Sequence, residues 1–144
     1  MLSLYKINSI AKKEKVQKVN FLSAKLLRTG TVSRFTQYYT IESRLEGTEY
    51  KRFNTNSGVI TEFRPTLEAF AHFTYEYTKG YLVVYDLQGI EFSGEFLLTD
   101  PAIHCIDTLR FGRTNLGERG ISQCFLKNHR CNDICKKLKL SHIK

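Results

Sequence analysis

The sequence predicts an α+β fold, and three observations carry that prediction. Phe35 to Glu42 alternates, with Phe35, Gln37, Tyr39 and Ile41 on one side and Thr36, Tyr38, Thr40 and Glu42 on the other, which is the period of a strand. A helix opened by Pro65-Thr66 and ended by Gly80 places Leu67, Phe70, Ala71, Thr74 and Tyr77 on one face. After Gly80, the run Tyr81-Leu82-Val83-Val84-Tyr85 is apolar, bounded by glycine and too short for a helix, so it reads as a buried strand.

At 144 residues the chain is one domain with enough length for one sizeable core. Its 42% hydrophobic and 12% aromatic content excludes a disordered chain. The net charge is +8, and the first 44 residues hold nine of the 22 basic residues but only two of the 14 acidic ones. That field favours phosphate, nucleotide, nucleic acid or an acidic partner, without choosing among them. No apolar run is long enough to span a bilayer, and the start has no signal-peptide pattern, so a cytoplasmic protein is expected. All four cysteines (Cys105, Cys124, Cys131, Cys135) fall late in the chain. Without a secretion signal they read as metal ligands or thiols rather than disulfides.

Residues 6 to 18 are Lys-rich, with Ile7, Ile10, Ala11 and Val16, and suit either a short amphipathic helix or a basic arm. Asn20 to Leu27 and Phe35 to Glu42 read as two strands joined through Thr29-Gly30-Thr31. Glu46-Gly47-Thr48 is a turn, Tyr50 to Phe53 a short strand, and Asn54 to Gly58 a loop. Thr66 is placed to cap the helix opened by Pro65, and Glu68 puts a negative charge in its first turn. His72 lies off the centre of its apolar stripe.

The buried strand runs into Asp86, and a carboxylate at such a point must be solvated, paired or metal-bound. Ile90 to Thr99 reads as a loop and a short strand. Asp100-Pro101 opens a turn or a helix, Ile121 to Asn128 is helical, and a last helix over Asn132 to Leu140 turns Ile134 and Leu138 inward.

The most chemical stretch is His129-Arg130-Cys131-Asn132-Asp133-Ile134-Cys135. Cys131 and Cys135 are four apart, so on a helix their sulfurs share a face, and His129 precedes them by two. Thiolates with imidazole suit a closed, structural zinc site. The spacing leaves the fourth ligand open among His72, Cys124, Cys105 and His142. Gly112 to Gly120 resembles an anion nest but lacks both the dinucleotide fingerprint and the P-loop ending. Asp86, Gln88 and Asp100 form an oxygen set able to hold a divalent cation against phosphate.

Seven stretches in order resemble the alpha-type protein kinases, atypical serine/threonine kinases: Tyr39 to Glu42, Tyr50 to Gly58, Ala69 to Glu76, Asp86 to Gly89, Leu98 to Pro101, Asn115 to Glu118 and His129 to Asn132. The likeness spans residues 18 to 140. It implies an alpha-kinase-like α+β fold with a zinc-stabilised C-terminal lobe, residues 1–48 being a remnant of the N-terminal lobe plus hinge and 49–144 the catalytic lobe. It also implies a kinase moving the ATP γ-phosphate to a protein Ser or Thr, with Asp86 as the catalytic aspartate. Gln88 and Asp100 would hold metal and phosphates, and Glu42, Ser43, Arg44 and Leu45 would run along the adenine. Arg52 would lie near the nucleotide where the family usually has Lys, and Asn115 with the Gly117 loop would line the site. The zinc ligands implied are His72, His129, Cys131 and Cys135.

The family's N-terminal lobe also has a glycine-containing phosphate loop, a strand lysine and a long helix, for which residues 1–17 offer no counterpart. The expectation is therefore an N-terminally truncated domain, its open edge covered by a partner or a further segment. Two functions are compatible with that: a kinase using Mg-ATP, or an inactive zinc-stabilised binding module. Nucleic acid is not the expected partner, because the aromatics read as core rather than as an exposed stacking surface.

Overall fold

The computed structural model describes residues 2–30, 36–46 and 49–143. Thr31, Phe35, Gly47 and Thr48, assigned above to strand and turns, lie outside them. The elements are α1 (Leu2–Lys13), β1 (Lys18–Phe21), β2 (Lys25–Thr29), β3 (Gln37–Ile41), β4 (Lys51–Arg52), α2 (Pro65–Tyr77), β5 (Leu82–Tyr85), β6 (Gln88–Phe92), β7 (Glu95–Thr99), β8 (Ala102–Cys105), α3 (Gly117–Arg119), a π-helix (Gly120–Leu126) and α4 (Asp133–Lys137).

The Lys-rich start is a helix, and it begins earlier than its charge pattern suggested. It closes when Lys15 takes φ 55° and the Val16 N–H reaches back to the Ala11 carbonyl at 2.8 Å. Ile7 and Ala11 are its buried contacts. Asn8 then clamps β1: its Nδ2 donates to the Val19 carbonyl at 2.9 Å and its Oδ1 accepts the Val19 N–H at 3.0 Å. One side-chain amide thus stands in for a neighbouring strand at the sheet edge.

The strand expected over Asn20 to Leu27 is two strands, broken at residues 22–24. β1 pairs in parallel with β7, giving a four-stranded sheet of order β1-β7-β6-β4. β2 instead forms an antiparallel hairpin with β3, from Lys25↔Ile41 to Thr29↔Gln37. Both strands of that hairpin present nearly all their residues to solvent, Leu26, Tyr38, Tyr39 and Ile41 included, so several aromatics read as core are exposed. Ile90 to Thr99 is not a loop plus a short strand. It is most of a hairpin, β6 and β7, turning at Ser93 and Gly94. Gly89 is required there: it sits at φ 150°, and a Cβ would lie 2.2 Å from the Leu97 carbonyl oxygen.

Helix α2 is the centre of the molecule. From Thr66 to Thr74 every residue is buried, so the single stripe read from the sequence understates it. The helix joins Val19, Phe96 and Leu98 of the sheet together with Phe53, Leu87 and Leu138, and it supplies Ala71 to a second cluster with Val83, Tyr85, Ile121 and Phe125. Thr66 does not cap. Arg64 is the N-cap, Pro65 opens the helix, and the Thr66 hydroxyl donates to Gln17 instead. Mid-helix, the Thr74 hydroxyl accepts the Val84 N–H at 3.0 Å, which ties β5 to the helix flank.

β5 pairs antiparallel with β8, Tyr85 opposite Ala102 and Leu82 opposite Cys105. Asp100-Pro101 is therefore a turn between two strands rather than a helix start. On β8, His104 is fully buried, and Gly120 opens the π-helix directly against its ring: a Cβ there would stand 2.3 Å from His104 Cγ. His104 Nε2 lies 3.1 Å from the Asn56 carbonyl, and the Leu116 N–H points at Nδ1 at 3.3 Å. Both bonds require the neutral Nε2–H tautomer.

Burial lowers the pKa of His104 below the ordinary histidine value, against the opposing pull of the Asn56 carbonyl and Asp86. Below about pH 6.5 the unfolded chain binds a proton that the folded chain resists, so stability falls on acidification. Melting temperature is expected to drop between pH 7 and pH 5, and to drop less in His104→Gln. Parallel slopes for the two proteins would remove His104 as the cause.

Candidate metal centre and nucleotide cleft

His72 lies in the buried middle of α2, and the chain returns to it from the far end. The π-helix closes with the His129 N–H on the Phe125 carbonyl at 2.8 Å, which delivers His129 inward. Asn132 then caps α4: its Oδ1 accepts the N–H groups of Ile134 at 2.9 Å and Cys135 at 3.3 Å. Its Nδ2 donates to the Pro65 carbonyl at 3.1 Å, so one side chain joins the starts of α4 and α2. Cys131 precedes this cap. Its sulfur meets that of Cys135 from a loop, not by sharing a helix face as the spacing suggested.

His72 Nδ1 is 3.8 Å from Cys131 Sγ, His129 Nε2 is 3.9 Å from Cys135 Sγ, and the four donor atoms all lie within 4.8 Å of one another. Ligands at about 2.0–2.3 Å around a tetrahedral metal stand roughly 3.5 Å apart, so the set fits a closed site. His72, His129 and Cys135 are at most 2% exposed. Burial and then the neighbouring His129 hold His72 at about 4, with Glu76 pulling the other way, so its imidazole is neutral and has a lone pair to offer. Burial pushes the Cys135 thiol up, and a coordinating cation reverses that preference. Cys105 and Cys124 are free thiols outside the cluster.

The second site gathers where β5 hands over to β6. Asp86 takes φ 53° and Asp100 φ 44°, so both aspartates sit in the left-handed region, at a cost on the order of 1 kcal/mol each. The chain around Asp86 is gripped by β4 and by the two residues after it. Arg52 Nε donates to Asp86 Oδ1 at 2.7 Å and a terminal guanidinium nitrogen to Oδ2 at 2.6 Å. Asn54 Oδ1 accepts the Leu87 N–H at 2.7 Å, and the Phe53 N–H donates to the Leu87 carbonyl at 2.9 Å. Gln88, opposite Arg52 and Thr99 in the ladder, donates from Nε2 to the Asp100 carbonyl at 3.1 Å.

Asp100 lines two adjoining cavities of about 570 and 440 Å³, which share Leu22, Glu42, Thr99 and Asp100. The first adds Phe21, Ala24, Thr40 and Pro101; the second adds Ser43, Arg44, Leu45 and Tyr50. The Thr99 hydroxyl donates to the Glu42 carboxylate. Burial raises the Tyr50 phenol, with Asp100, Glu42 and Asp86 adding to the rise and Arg52 opposing it. Tyr50 thus stands among three carboxylates and one guanidinium, a place its position at the head of the Tyr50 to Gly58 stretch marked without assigning a role.

The structure brings Glu42, Ser43, Arg44, Leu45 and Asp100 to one cavity, pairs Arg52 with Asp86, and links Gln88 to Asp100. Asn115 is buried inside its own loop. Its Oδ1 accepts the Cys105 and Gly117 N–H groups, and its Nδ2 donates to the Asp107 and Arg110 carbonyls, all at 2.8–2.9 Å. Its amide is fully committed to holding that loop shut.

The alpha-kinase family profile matches residues 1–135. The chain is 42% identical over 125 residues to alpha-protein kinase vwkA of Dictyostelium discoideum, matching 85% of this chain and 20% of that protein. It is likewise 42% identical over 105 residues to the eukaryotic elongation factor 2 kinase of Caenorhabditis elegans, 72% of this chain and 13% of that one. Among solved structures, the alpha-kinase domain of myosin-II heavy chain kinase A in complex with AMP-PNP superposes with TM-score 0.79 at 34% identity, over 95% of this chain and 52% of that one. An alpha kinase from Entamoeba histolytica superposes with TM-score 0.78 at 35% identity, over 99% and 61%. The chain thus spans a fifth or less of these two curated relatives and little more than half of the solved domains.

Two observations on the four-residue cluster yield an expectation for stability. It closes a long loop, and His72, His129 and Cys135 are buried in it. Stripping metal with a strong chelator is expected to lower the melting temperature of the metal-loaded chain by more than about 10 °C. Cys135→Ser should start at that lowered value and respond no further to chelation. A melting curve indifferent to both would remove the cluster as a metal centre.

Proposed function

The chain belongs to the alpha-kinase family, and we propose that on its own it is a zinc-stabilised binding module of that family, without turnover by itself. The observation that supports this most directly is coverage. Nearly all of the chain superposes on 52% of a nucleotide-bound alpha-kinase domain, and the rest of that domain has no counterpart within these 144 residues. The glycine-containing phosphate loop and strand lysine belong, in this reading, to the part without a counterpart. Residues 1–48 are then a remnant of the N-terminal lobe and hinge, with α1 and β1 docked on the catalytic lobe of residues 49–144.

The metal in this reading is zinc, because two thiolates and two imidazoles match its borderline softness. Four protein donors leave no position for water, which makes its role structural. The exposed hairpin of β2 and β3 is the surface that a partner or a further segment of a longer protein covers. In this reading the cysteines are zinc ligands and thiols, which is the cysteine chemistry of a reducing compartment such as the cytoplasm. No helix among the described residues is long and apolar enough to cross a membrane.

A second reading is a magnesium-ATP-dependent serine/threonine kinase, favoured by one observation: Gln88 ties Asp100 to the strand that leaves Asp86, beside cavities of nucleotide size. Bound magnesium would neutralise phosphate charge there. Asp86 would orient the substrate Ser or Thr hydroxyl, Gln88 and Asp100 would hold the metal, and Asn115 would set the loop that receives the peptide. Glu42, Ser43, Arg44 and Leu45 would line the adenine, with Arg52 near the phosphates. Arg52 occupies both carboxylate oxygens of Asp86, so this chemistry requires the pair to open or shift.

The purified zinc-loaded chain, given magnesium-ATP and a threonine-containing peptide, is expected to transfer no more phosphate than its Asp86→Asn variant. Calorimetric titration with ATP should show no binding tighter than about 1 mM. Turnover that Asp86→Asn abolishes would replace the module reading with the kinase one.

A further inference from the structure

Glu68, His72 and Glu76 recur every four residues along α2, so they lie one above another on a single face. Glu68 is 2% exposed, and its Oε2 lies 3.4 Å from His129 Nδ1. Each of these two buried atoms has no hydrogen-bond partner among the described residues. One turn past His72, Glu76 Oε2 lies 3.6 Å from His72 Nε2, which is equally buried and unpartnered. Four polar atoms therefore face each other in two donor–acceptor pairs, on the sides of the two rings that turn away from the sulfurs. An exposed glutamate would serve the helix dipole just as well, so the burial of Glu68 calls for another cause.

We propose that Glu68 and Glu76 are positioning carboxylates of the metal centre: Glu68 accepts a hydrogen bond from the Nδ1–H of His129 and Glu76 one from the Nε2–H of His72. This rests on the zinc reading above. A neutral imidazole has one N–H and one lone pair. His72 faces the cluster with Nδ1 and His129 with Nε2, so the two rings need opposite tautomers. A carboxylate behind each ring accepts a hydrogen bond from that N–H, which selects the tautomer, fixes the ring plane and raises the basicity of the ligating nitrogen. Two thiolates already balance a dication, so Glu68 adds a net negative charge that the histidine N–H and the start of α2 share.

The two carboxylates differ in a way that orders their effects. Glu68 is sealed in the core, whereas the Glu76 side chain is 35% exposed and its Oε2 also accepts the Ser141 N–H at 2.6 Å. Water can replace the second but not the first. Glu76 also couples the C-terminal residues to the outer edge of His72.

The test is zinc affinity of the whole chain, measured by competition with a chromophoric chelator, beside the imidazole N–H proton resonances of the zinc-loaded protein. Glu68→Gln is expected to lose about 10–100-fold in zinc affinity and to move the His129 Nδ1–H resonance, and Glu76→Gln to lose about tenfold or less. Glu68→Leu should lose more than Glu68→Gln. If it fails to fold, the resonance shift in Glu68→Gln still decides the question. Wild-type affinity and an unmoved resonance in Glu68→Gln would overturn the positioning role while leaving the zinc site standing. A wild-type chain that takes up no zinc would overturn both.

Discussion

The structure depends on one return of the chain upon itself. His72 sits in the middle of a helix that is buried on every side, and His129, Cys131 and Cys135 come back to it across more than fifty residues. The cap at Asn132 sets that return, because its side chain satisfies the first N–H groups of α4 and also reaches the Pro65 carbonyl at the start of α2. A metal at this point would close a loop of nearly half the chain, and it would do so at the helix that both hydrophobic clusters share. The same helix carries the two carboxylates that face the histidines. Its buried polar atoms, which would be costly in an ordinary core helix, become explicable together.

The cleft is organised differently, by backbone strain held in place. Asp86 and Asp100 both adopt left-handed conformations at strand ends, and each is fixed from its neighbours' side chains. Asn54 holds the amide after Asp86, Arg52 holds its carboxylate, and Gln88 holds the carbonyl of Asp100. The Arg52 side chain is 48% exposed, so its ion pair is screened and contributes on the order of 1 kcal/mol, comparable with the local strain. That balance suits a pair able to rearrange when a ligand brings competing charge.

Much of this was legible in the residue order, for identifiable reasons. The helix beginning at Pro65 shows its period directly, the strand before Asp86 shows itself as a short apolar run bounded by glycine, and His129, Cys131 and Cys135 stand out as metal-capable donors by residue type. The tertiary arrangement hid the rest. Residues 20–27 carry one continuous strand-like composition, yet the break at 22–24 sends its two halves to different sheets, because Phe21 packs against the core and Leu26 belongs to an exposed hairpin. The periodicity of α2 suggested one buried face, since a pattern read along one helix says nothing of a second layer packed behind it. Asn115 gave no sign that both ends of its amide are consumed by its own loop.

By itself, then, the amino-acid order determined the α+β class, the alpha-kinase resemblance and three of the four donor residues, because these depend on local period and residue chemistry; the fourth, His72, came only as what the resemblance implies. Only the tertiary structure decided which atoms meet. It chose Nδ1 of His72 and Nε2 of His129, set Glu68 and Glu76 behind them, and placed Tyr50 among the carboxylates of the cleft. Those choices arise from how separate elements are oriented against one helix, and orientation across tens of residues leaves no periodic trace in a linear sequence.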